Sequence, residues 1–137
     1  MYKRQATYGG NDRTHYVRIP DDQRVELRGG DGSANPYLAI AAALGAGLDG
    51  IKRSLDPGAL GTCPGHVADL PLTLLHAVEA LESDAVITGT LDAATPEDWP
   101  ADAPTVSSYF TGLKREEFFN WHASVSAWEV DSYLTAF

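Results

Sequence analysis

The sequence contains few cysteines and no long apolar run. Its 137 residues include one cysteine, Cys63, so no disulfide can form within the chain, which suits a reducing compartment. No apolar run reaches the roughly 18 to 20 residues of a membrane helix, and no signal-type apolar segment follows residues 1–4. These absences predict a cytoplasmic protein that has no membrane partner.

Basic residues are also scarce. The chain has 10 lysines and arginines against 19 aspartates and glutamates, which gives a net charge of −9. A nucleic acid would require a basic surface to neutralise its phosphates, so this charge argues against a nucleic-acid partner. The length is sufficient for one modest core.

Two short β-branched segments, HYVRI and RVELR, are separated by the four turn-forming residues 20–23. This pattern predicts an antiparallel hairpin. The two-residue period of a strand places Arg24, Glu26 and Arg28 on one face of the second strand, and Val25 and Leu27 on the other, where they can face a core.

Alternating charges on that strand leave two interpretations open. Arginine forks match the oxygens of phosphate and carboxylate, so the charged face is typical of a site for an anion. The other interpretation is a surface ladder of cross-strand ion pairs, each worth about 0.2 to 1 kcal/mol.

A helix rich in alanine and leucine is predicted over residues 37–50, with Ser33 as its N-cap and Pro36 in its first turn. Because it is apolar almost all round, it is predicted to be buried. Gly45 and Gly47 weaken a helix by about 1 kcal/mol each, which indicates close packing against another element. The residues assigned to the core are Leu38, Ile40, Leu44 and Leu48.

The second half of the chain is predicted to be mainly helical. Apolar residues at helical spacing predict a helix over residues 71–83. Residues 90–108 are rich in Ala, Asp, Pro and Thr and are predicted to be irregular. Two further helices are predicted over residues 109–137, with Ser124 or Ser126 as the cap of the second.

Several of these segments together resemble one family. They are NDRTHYVRIP, RVELR, DGSANPYLAIAAALGAGLDGI, LPLTLLHAVEALESD and YFTGLKREEFFNWHASVSAWEVDSYLTAF. In this order and spacing they are similar to the C-terminal part of the catalytic domain of glutamine synthetases. The resemblance implies that residues 1–137 are a partial catalytic domain, without the family's N-terminal β-grasp domain and upstream catalytic half. It also implies an α+β fold in which a short antiparallel strand pair is packed with helices.

The resemblance assigns roles to five arginines. Arg13 would be the catalytic residue and would contact both the ATP phosphates and the substrate glutamate. Arg18 and Arg24 would bind the nucleotide phosphates. Arg28 would bind glutamate or its γ-glutamyl phosphate, and Arg4 would correspond to a further glutamate-binding arginine.

The resemblance also implies a Mg²⁺ or Mn²⁺ ion with Glu26 as one ligand. The family's other ligands, several glutamates and a histidine, lie upstream and are not in this sequence. Two departures from the family pattern are visible. Residues 5–12 lack the glutamate of the family's active-site loop, and Asp21 stands where the family often has a lysine near the nucleotide.

Two functions follow from this comparison. The first is an ATP-dependent ligase that joins glutamate to ammonia or an amine through γ-glutamyl phosphate, with partners that are further copies of the chain, as in the family's rings, or the missing N-terminal domain. The second is a non-catalytic, truncated module that acts as a binding or assembly scaffold. In either case the isolated chain is expected to be inactive alone.

Overall fold

The structure, a computed structural model, describes residues 6–61, 69–134 and 136. Arg4 and Cys63 lie outside these residues. The strands of the described part form one mixed sheet in the order β1-β2-β3, and the helices follow, so the predicted α+β class is confirmed. The elements are β1 Tyr8–Gly9, β2 Val17–Asp21, β3 Arg24–Leu27, α1 Pro36–Lys52, α2 Leu74–Ser83, α3 Ala85–Asp92, α4 Val106–His122 and α5 Ala127–Tyr133.

The predicted hairpin consists of β2 and β3, which pair antiparallel with Arg18 opposite Glu26. The prediction of a four-residue turn is wrong, because β2 continues to Asp21, which lies opposite Arg24. A carboxylate oxygen of Asp21 accepts the backbone N–H of Gln23 at 3.1 Å and closes the shorter turn.

A further strand, β1, was not predicted. It pairs parallel to β2, with Tyr8 opposite Val17. The loop that follows α1 closes the other side of β1. The backbone N–H of Gly61 donates to the Tyr8 carbonyl at 2.8 Å, and the Tyr8 hydroxyl donates to the carbonyl of Gly58.

Helix α1 forms as predicted, but its N-cap is Asn35. The Asn35 side chain accepts the backbone N–H groups of the first turn, and Pro36 occupies the first helical position. Ser33, the predicted cap, instead donates its backbone N–H and its hydroxyl to Asp31 at 2.7 Å each. The cap lies two residues later because Asp31 and Ser33 form their own local turn.

The prediction that α1 is buried is wrong. Leu38 is half-buried, whereas Ile40, Leu44 and Leu48 are 60%, 62% and 65% exposed. Among the described elements only α3 packs against α1. An apolar surface on all sides requires cover on all sides, and the described part of the chain covers one side.

The contact between α1 and α3 uses one of the two glycines singled out in the sequence. A Cβ on Gly45 would lie 2.6 Å from Cγ2 and 2.9 Å from Cβ of Thr90, so the predicted close packing is confirmed there. A Cβ on Gly47 would meet nothing within 4 Å, so the prediction is wrong for Gly47. The absent side chain at position 45 lets the two helices approach.

The small core lies among α2, α3 and α4. Val78 and Leu91 are its buried hydrophobic residues within the described part. Asp92, at the end of α3, accepts the backbone N–H of Ser107 at 2.8 Å and its hydroxyl at 2.9 Å, at the start of α4. Part of the region predicted to be irregular is therefore helical, because α3 has a capping Asp84 at its own start and this carboxylate bridge at its end.

Helix α5 begins as predicted at one of the two candidate caps. Ser126 accepts the backbone N–H of Glu129, while the Glu129 side chain accepts the backbone N–H of Ser126. This reciprocal pair is a capping box.

Contacts between elements in residues 6–61 and 69–134 join strands to strands and helices to helices. Val25 and Leu27, which can face a core in a covered sheet, are 63% and 52% exposed. No helix of the described part is long and apolar enough to cross a membrane.

Candidate anion-binding site

The charged face of the hairpin carries a cluster of Arg18, Glu26 and Arg28. Antiparallel pairing sets Arg18 across from Glu26, and their side chains meet at 2.7 Å between Nη1 and Oε2. Arg28 follows two residues after Glu26, on the same face, and its Nε lies 3.0 Å from Oε1. Each carboxylate oxygen therefore has its own arginine.

Both arginines of this cluster are largely buried, with 18% of the Arg18 side chain and 23% of the Arg28 side chain exposed. The hydrogen bond from Arg18 is the largest cause that holds the pKa of Glu26 below its ordinary value of 4.5, and the positive charges of both arginines act in the same direction. Partial burial opposes them by raising this pKa. Glu26 is therefore ionised at neutral pH.

The loop before β2 completes the cluster. The side-chain oxygen of Asn11 accepts hydrogen bonds from Nε of Arg18, at 3.1 Å, and from its Nη2. The backbone carbonyl of Arg13 accepts a hydrogen bond from Nη1 of Arg28. Asn11 was not singled out in the sequence, and its position two residues before Arg13 is the signal that could have found it.

Arg13 differs from the two arginines of the cluster. It is exposed, and within the described part of the chain its guanidinium has no hydrogen bond or ion pair. Its position is nevertheless fixed from two sides. Its carbonyl is held by Arg28, and the adjacent turn is closed by Asp12, which accepts the N–H of Thr14 at 2.9 Å and its hydroxyl at 2.8 Å. A fixed backbone thus presents a free guanidinium to solvent.

Three contacts of Tyr16 and His15 support this loop. The N–H of Arg28 donates to the carbonyl of Tyr16 at 2.9 Å, and a Cβ on Gly29 would lie 2.7 Å from the Tyr16 hydroxyl. Nδ1 of His15 lies 3.1 Å from the hydroxyl of Thr7. Gly29 is therefore required for the Tyr16 ring to lie against the strand end.

The other two predicted arginines are not part of this cluster. Arg24 lies at the far end of the hairpin, 70% exposed, with its Nε 2.9 Å from Asp21. This ion pair places the Asp21 carboxylate beside Arg24, which was predicted to bind a nucleotide phosphate. Arg4 lies outside the described residues.

The described residues contain no group of three histidine, cysteine, aspartate or glutamate side chains that could hold a metal ion. Both oxygens of Glu26 accept from arginine. The described residues therefore do not form a metal site by themselves. The role of Glu26 as a metal ligand stays a prediction that requires further ligands from outside the described residues.

The geometry defines a class of protein. It is an α+β chain whose hairpin presents several arginines around one ionised carboxylate, and such an arrangement suits a ligand that carries phosphate or carboxylate groups.

The family described as "Glutamine synthetase, catalytic domain" matches residues 3–133. The chain belongs to this family, as the sequence motifs predicted. A glutamine synthetase of Halobacterium salinarum is 36% identical over 95% of this chain and 30% of its own length. A glutamate–methylamine ligase of Methyloversatilis universalis is 38% identical over 95% of this chain and 29% of its own length.

A solved structure described as "Apo GmaS without ligand" is similar to the whole described fold. Its sequence is 41% identical to this chain, the TM-score is 0.79, and the match covers 98% of this chain and 31% of that one. The chain thus spans about 30% of the length of the relatives it matches.

Proposed function

We propose that this chain supplies the arginine-bearing part of the active site of an ATP-dependent ligase that joins glutamate to ammonia or an amine. The γ-phosphoryl group of ATP is transferred to the side-chain carboxylate of glutamate, which gives γ-glutamyl phosphate and ADP. Ammonia or the amine then attacks the acyl carbon and phosphate leaves. The resulting bond is an amide.

The observation that carries the proposal is Arg13, whose carbonyl accepts from Arg28 of the Arg18–Glu26–Arg28 cluster and whose guanidinium has no partner among the described residues. Transfer of a phosphoryl group is catalysed mainly by positioned positive charge. Arg13 is the group available for the phosphate and for the substrate carboxylate, since it has no competing partner among the described residues.

Unlike Arg13, Arg18 and Arg28 have guanidinium groups that already hold partners in the chain. Glu26 and Asn11 already occupy the three nitrogens of Arg18, so it holds the hairpin and contributes its charge at short range. Nε of Arg28 contacts Glu26 and its Nη1 donates to the Arg13 carbonyl, which leaves its Nη2 as the nitrogen for the predicted glutamate or γ-glutamyl phosphate. Arg24 binds a nucleotide phosphate only by exchanging Asp21 for it.

A Mg²⁺ or Mn²⁺ ion, when bound, supplies charge that neutralises the phosphates. This chain offers Glu26 to it, and the other ligands come from outside the described residues. The relatives include both a glutamine synthetase and a glutamate–methylamine ligase, so similarity does not select between ammonia and an amine.

A second function, a binding or assembly scaffold without catalysis, is favoured by one observation. Glu26 is the carboxylate that pairs with Arg18 and Arg28, and the described part contains no group of three metal ligands. If the chain acts alone, the retained arginines bind anions without turning them over.

The experiment is a calorimetric titration of the chain with a non-hydrolysable ATP analogue, Mn²⁺ and methionine sulfoximine. Arg13→Ala is the informative variant, because within residues 6–61 and 69–134 its guanidinium makes no bond whose loss could disturb the fold. We expect it to weaken nucleotide binding by about tenfold or more, as for the loss of a charged hydrogen bond. Glu26→Ala should abolish the dependence on Mn²⁺.

The matched control is Arg53→Ala. Arg53 is also exposed, at 59%, and lies after α1, where its ion pair among the described residues is the local one to Asp49. Loss of affinity in this control equal to that of Arg13→Ala would show non-specific attraction of anions. Absence of binding at millimolar ligand would refute the ligase proposal for this chain and leave the scaffold.

A further inference from the structure

Asn11 holds one edge of the Arg18 guanidinium. Its side-chain oxygen accepts from Nε at 3.1 Å and from Nη2, while Nη1 donates to Glu26 at 2.7 Å. A guanidinium has five N–H groups, and three of those of Arg18 donate within residues 6–61 and 69–134. One N–H on Nη1 and one on Nη2 therefore have no partner in that part of the chain, and they are available to an anion.

Two acceptors on different elements fix the plane of the Arg18 guanidinium. One is a carboxylate of β3, and the other is Asn11 in the loop before β2. Because a guanidinium is planar and rigid, acceptors at two of its edges determine where its remaining N–H groups point. The loop is itself held, since the N–H of Asp12 donates to the Gly10 carbonyl at 2.7 Å and the N–H of Thr14 donates to Asp12 at 2.9 Å. Asn11 thus lies in a backbone segment that is closed on both sides.

The charge of the acceptor matters as much as its position. Asn11 and Asp12 are neighbours, but the carboxylate of Asp12 accepts from Thr14, and the neutral amide of Asn11 accepts from the arginine. The arginine cluster therefore keeps two guanidinium groups against one carboxylate, which is a surplus of one positive charge. A carboxylate at position 11 could accept the same hydrogen bonds, but it would cancel this surplus.

We propose that Asn11 is a positioning residue, which orients Arg18 toward a phosphate group of the ligand and adds no negative charge of its own. It acts through Arg18 rather than by contact with the ligand. The inference rests on the proposed function, in which Arg18 binds a nucleotide phosphate, and it adds the requirement for a neutral acceptor. Replacement of the amide by a carboxylate should then preserve the position of the arginine and still weaken the binding of phosphate.

The orientation of Arg18 is tested by NMR of the chain with isotope-labelled arginine, in which the Nε–H signal of Arg18 is assigned by its loss in Arg18→Gln. In the unmodified chain the hydrogen bond to Asn11 should protect this N–H from exchange with water. Asn11→Ala removes the acceptor and should speed the exchange about tenfold. Asn11→Asp should keep the protection, because a carboxylate accepts the same bond. Circular dichroism verifies that both variants keep the fold.

Phosphate binding is measured by calorimetry with inorganic tripolyphosphate, a probe that needs neither metal nor glutamate. Asn11→Asp should weaken this binding about tenfold at low ionic strength, because its added charge lies beside the guanidinium that binds the probe. Asn11→Ala should weaken it as well, since Arg18 is no longer oriented. If Asn11 served only to support the fold, Asn11→Asp would bind the probe as the unmodified chain does.

Asn120→Asp is the matched control, because it makes the same exchange at an exposed position of α4 and gives the same net charge. It should bind tripolyphosphate as the unmodified chain does. The proposal is overturned if the unmodified chain does not bind tripolyphosphate, or if Asn11→Asp and Asn120→Asp bind it equally. It is also overturned if Asn11→Ala leaves the Nε–H of Arg18 protected, or if Asn11→Asp loses that protection.

The same titrations separate this inference from the ligase proposal. Binding of tripolyphosphate that depends on Asn11, together with no response to the ATP analogue, Mn²⁺ and methionine sulfoximine, would refute the ligase proposal and support the role of Asn11. Metal-dependent binding of the ATP analogue that is equal in Asn11→Asp and the unmodified chain would support the ligase and overturn the role of Asn11.

Discussion

Replacing Gly45 by alanine tests the contact between α1 and α3. An alanine in a helix interior is favoured over glycine by about 1 kcal/mol. At Gly45, however, the new Cβ would lie 2.6 Å from Cγ2 of Thr90. Thr90 cannot rotate away without loss, because its hydroxyl donates to the Val86 carbonyl at 2.7 Å. Overpacking of this kind costs about 1 to 3 kcal/mol, so Gly45→Ala should be neutral or destabilise by up to about 2 kcal/mol.

Gly47→Ala is the matched control in the same helix. Its Cβ would meet nothing within 4 Å, so the gain of about 1 kcal/mol should appear in full. The two variants should then differ by about 1 to 3 kcal/mol in the free energy of unfolding, or about 4 °C in Tm for each kcal/mol.

Thermal and urea unfolding, followed by circular dichroism, measures both variants. In Gly45→Ala/Thr90→Ala the Cγ2 and Oγ1 atoms are gone, so the double variant should be more stable than the sum of the single effects by about 1 kcal/mol. The reasoning is refuted if Gly45→Ala stabilises as much as Gly47→Ala, because α1 and α3 would then not approach as described.

Two further predictions concern carboxylates. Asp92→Ala leaves the buried N–H and hydroxyl of Ser107 without their acceptor, so it should lower the free energy of unfolding in urea by about 1 to 3 kcal/mol. The control Asp98→Ala, at an exposed loop position, should change it by less than about 0.5 kcal/mol. Equal effects of the two variants would contradict the Asp92–Ser107 bridge. Because the pKa of Glu26 is lowered in the fold, its contribution to stability is complete above its ordinary value of 4.5 and is lost as pH falls through the lower folded value. Carboxyl NMR should give a midpoint below 4.5 that rises in Arg18→Gln, and an unchanged midpoint would count against the ion pair.

The sequence predicted those elements whose signals are local. The hairpin follows from two β-branched segments around a turn and α1 from its long alanine-rich run, and α5 begins at Ser126, one of the two candidate caps. These features depend on neighbours within a few residues. Strand periodicity placed Glu26 and Arg28 on one face, but it did not predict that Arg18 would pair with Glu26 or that Arg24 would pair with Asp21.

The features that the sequence did not predict depend on distant contacts. Helix α3 has eight residues with several β-branched ones, and it is stabilised by packing on α1 and by the bridge from Asp92 to Ser107. The exposure of Leu44 and Leu48 could not be predicted because an apolar helix indicates burial without indicating what buries it. The roles of the arginines and the cytoplasmic location stay predictions.

The closure of β1 by the loop after α1 has a consequence for the order of folding. The hairpin joins residues close in sequence, so its loop-closure entropy is small and its pairing can form early. The bond from the Tyr8 hydroxyl to Gly58 spans 50 positions and requires α1 to be in place first. We therefore expect the arginine cluster to assemble in a fast folding phase. The contact of β1 with the loop after α1 should form in a later, slower phase.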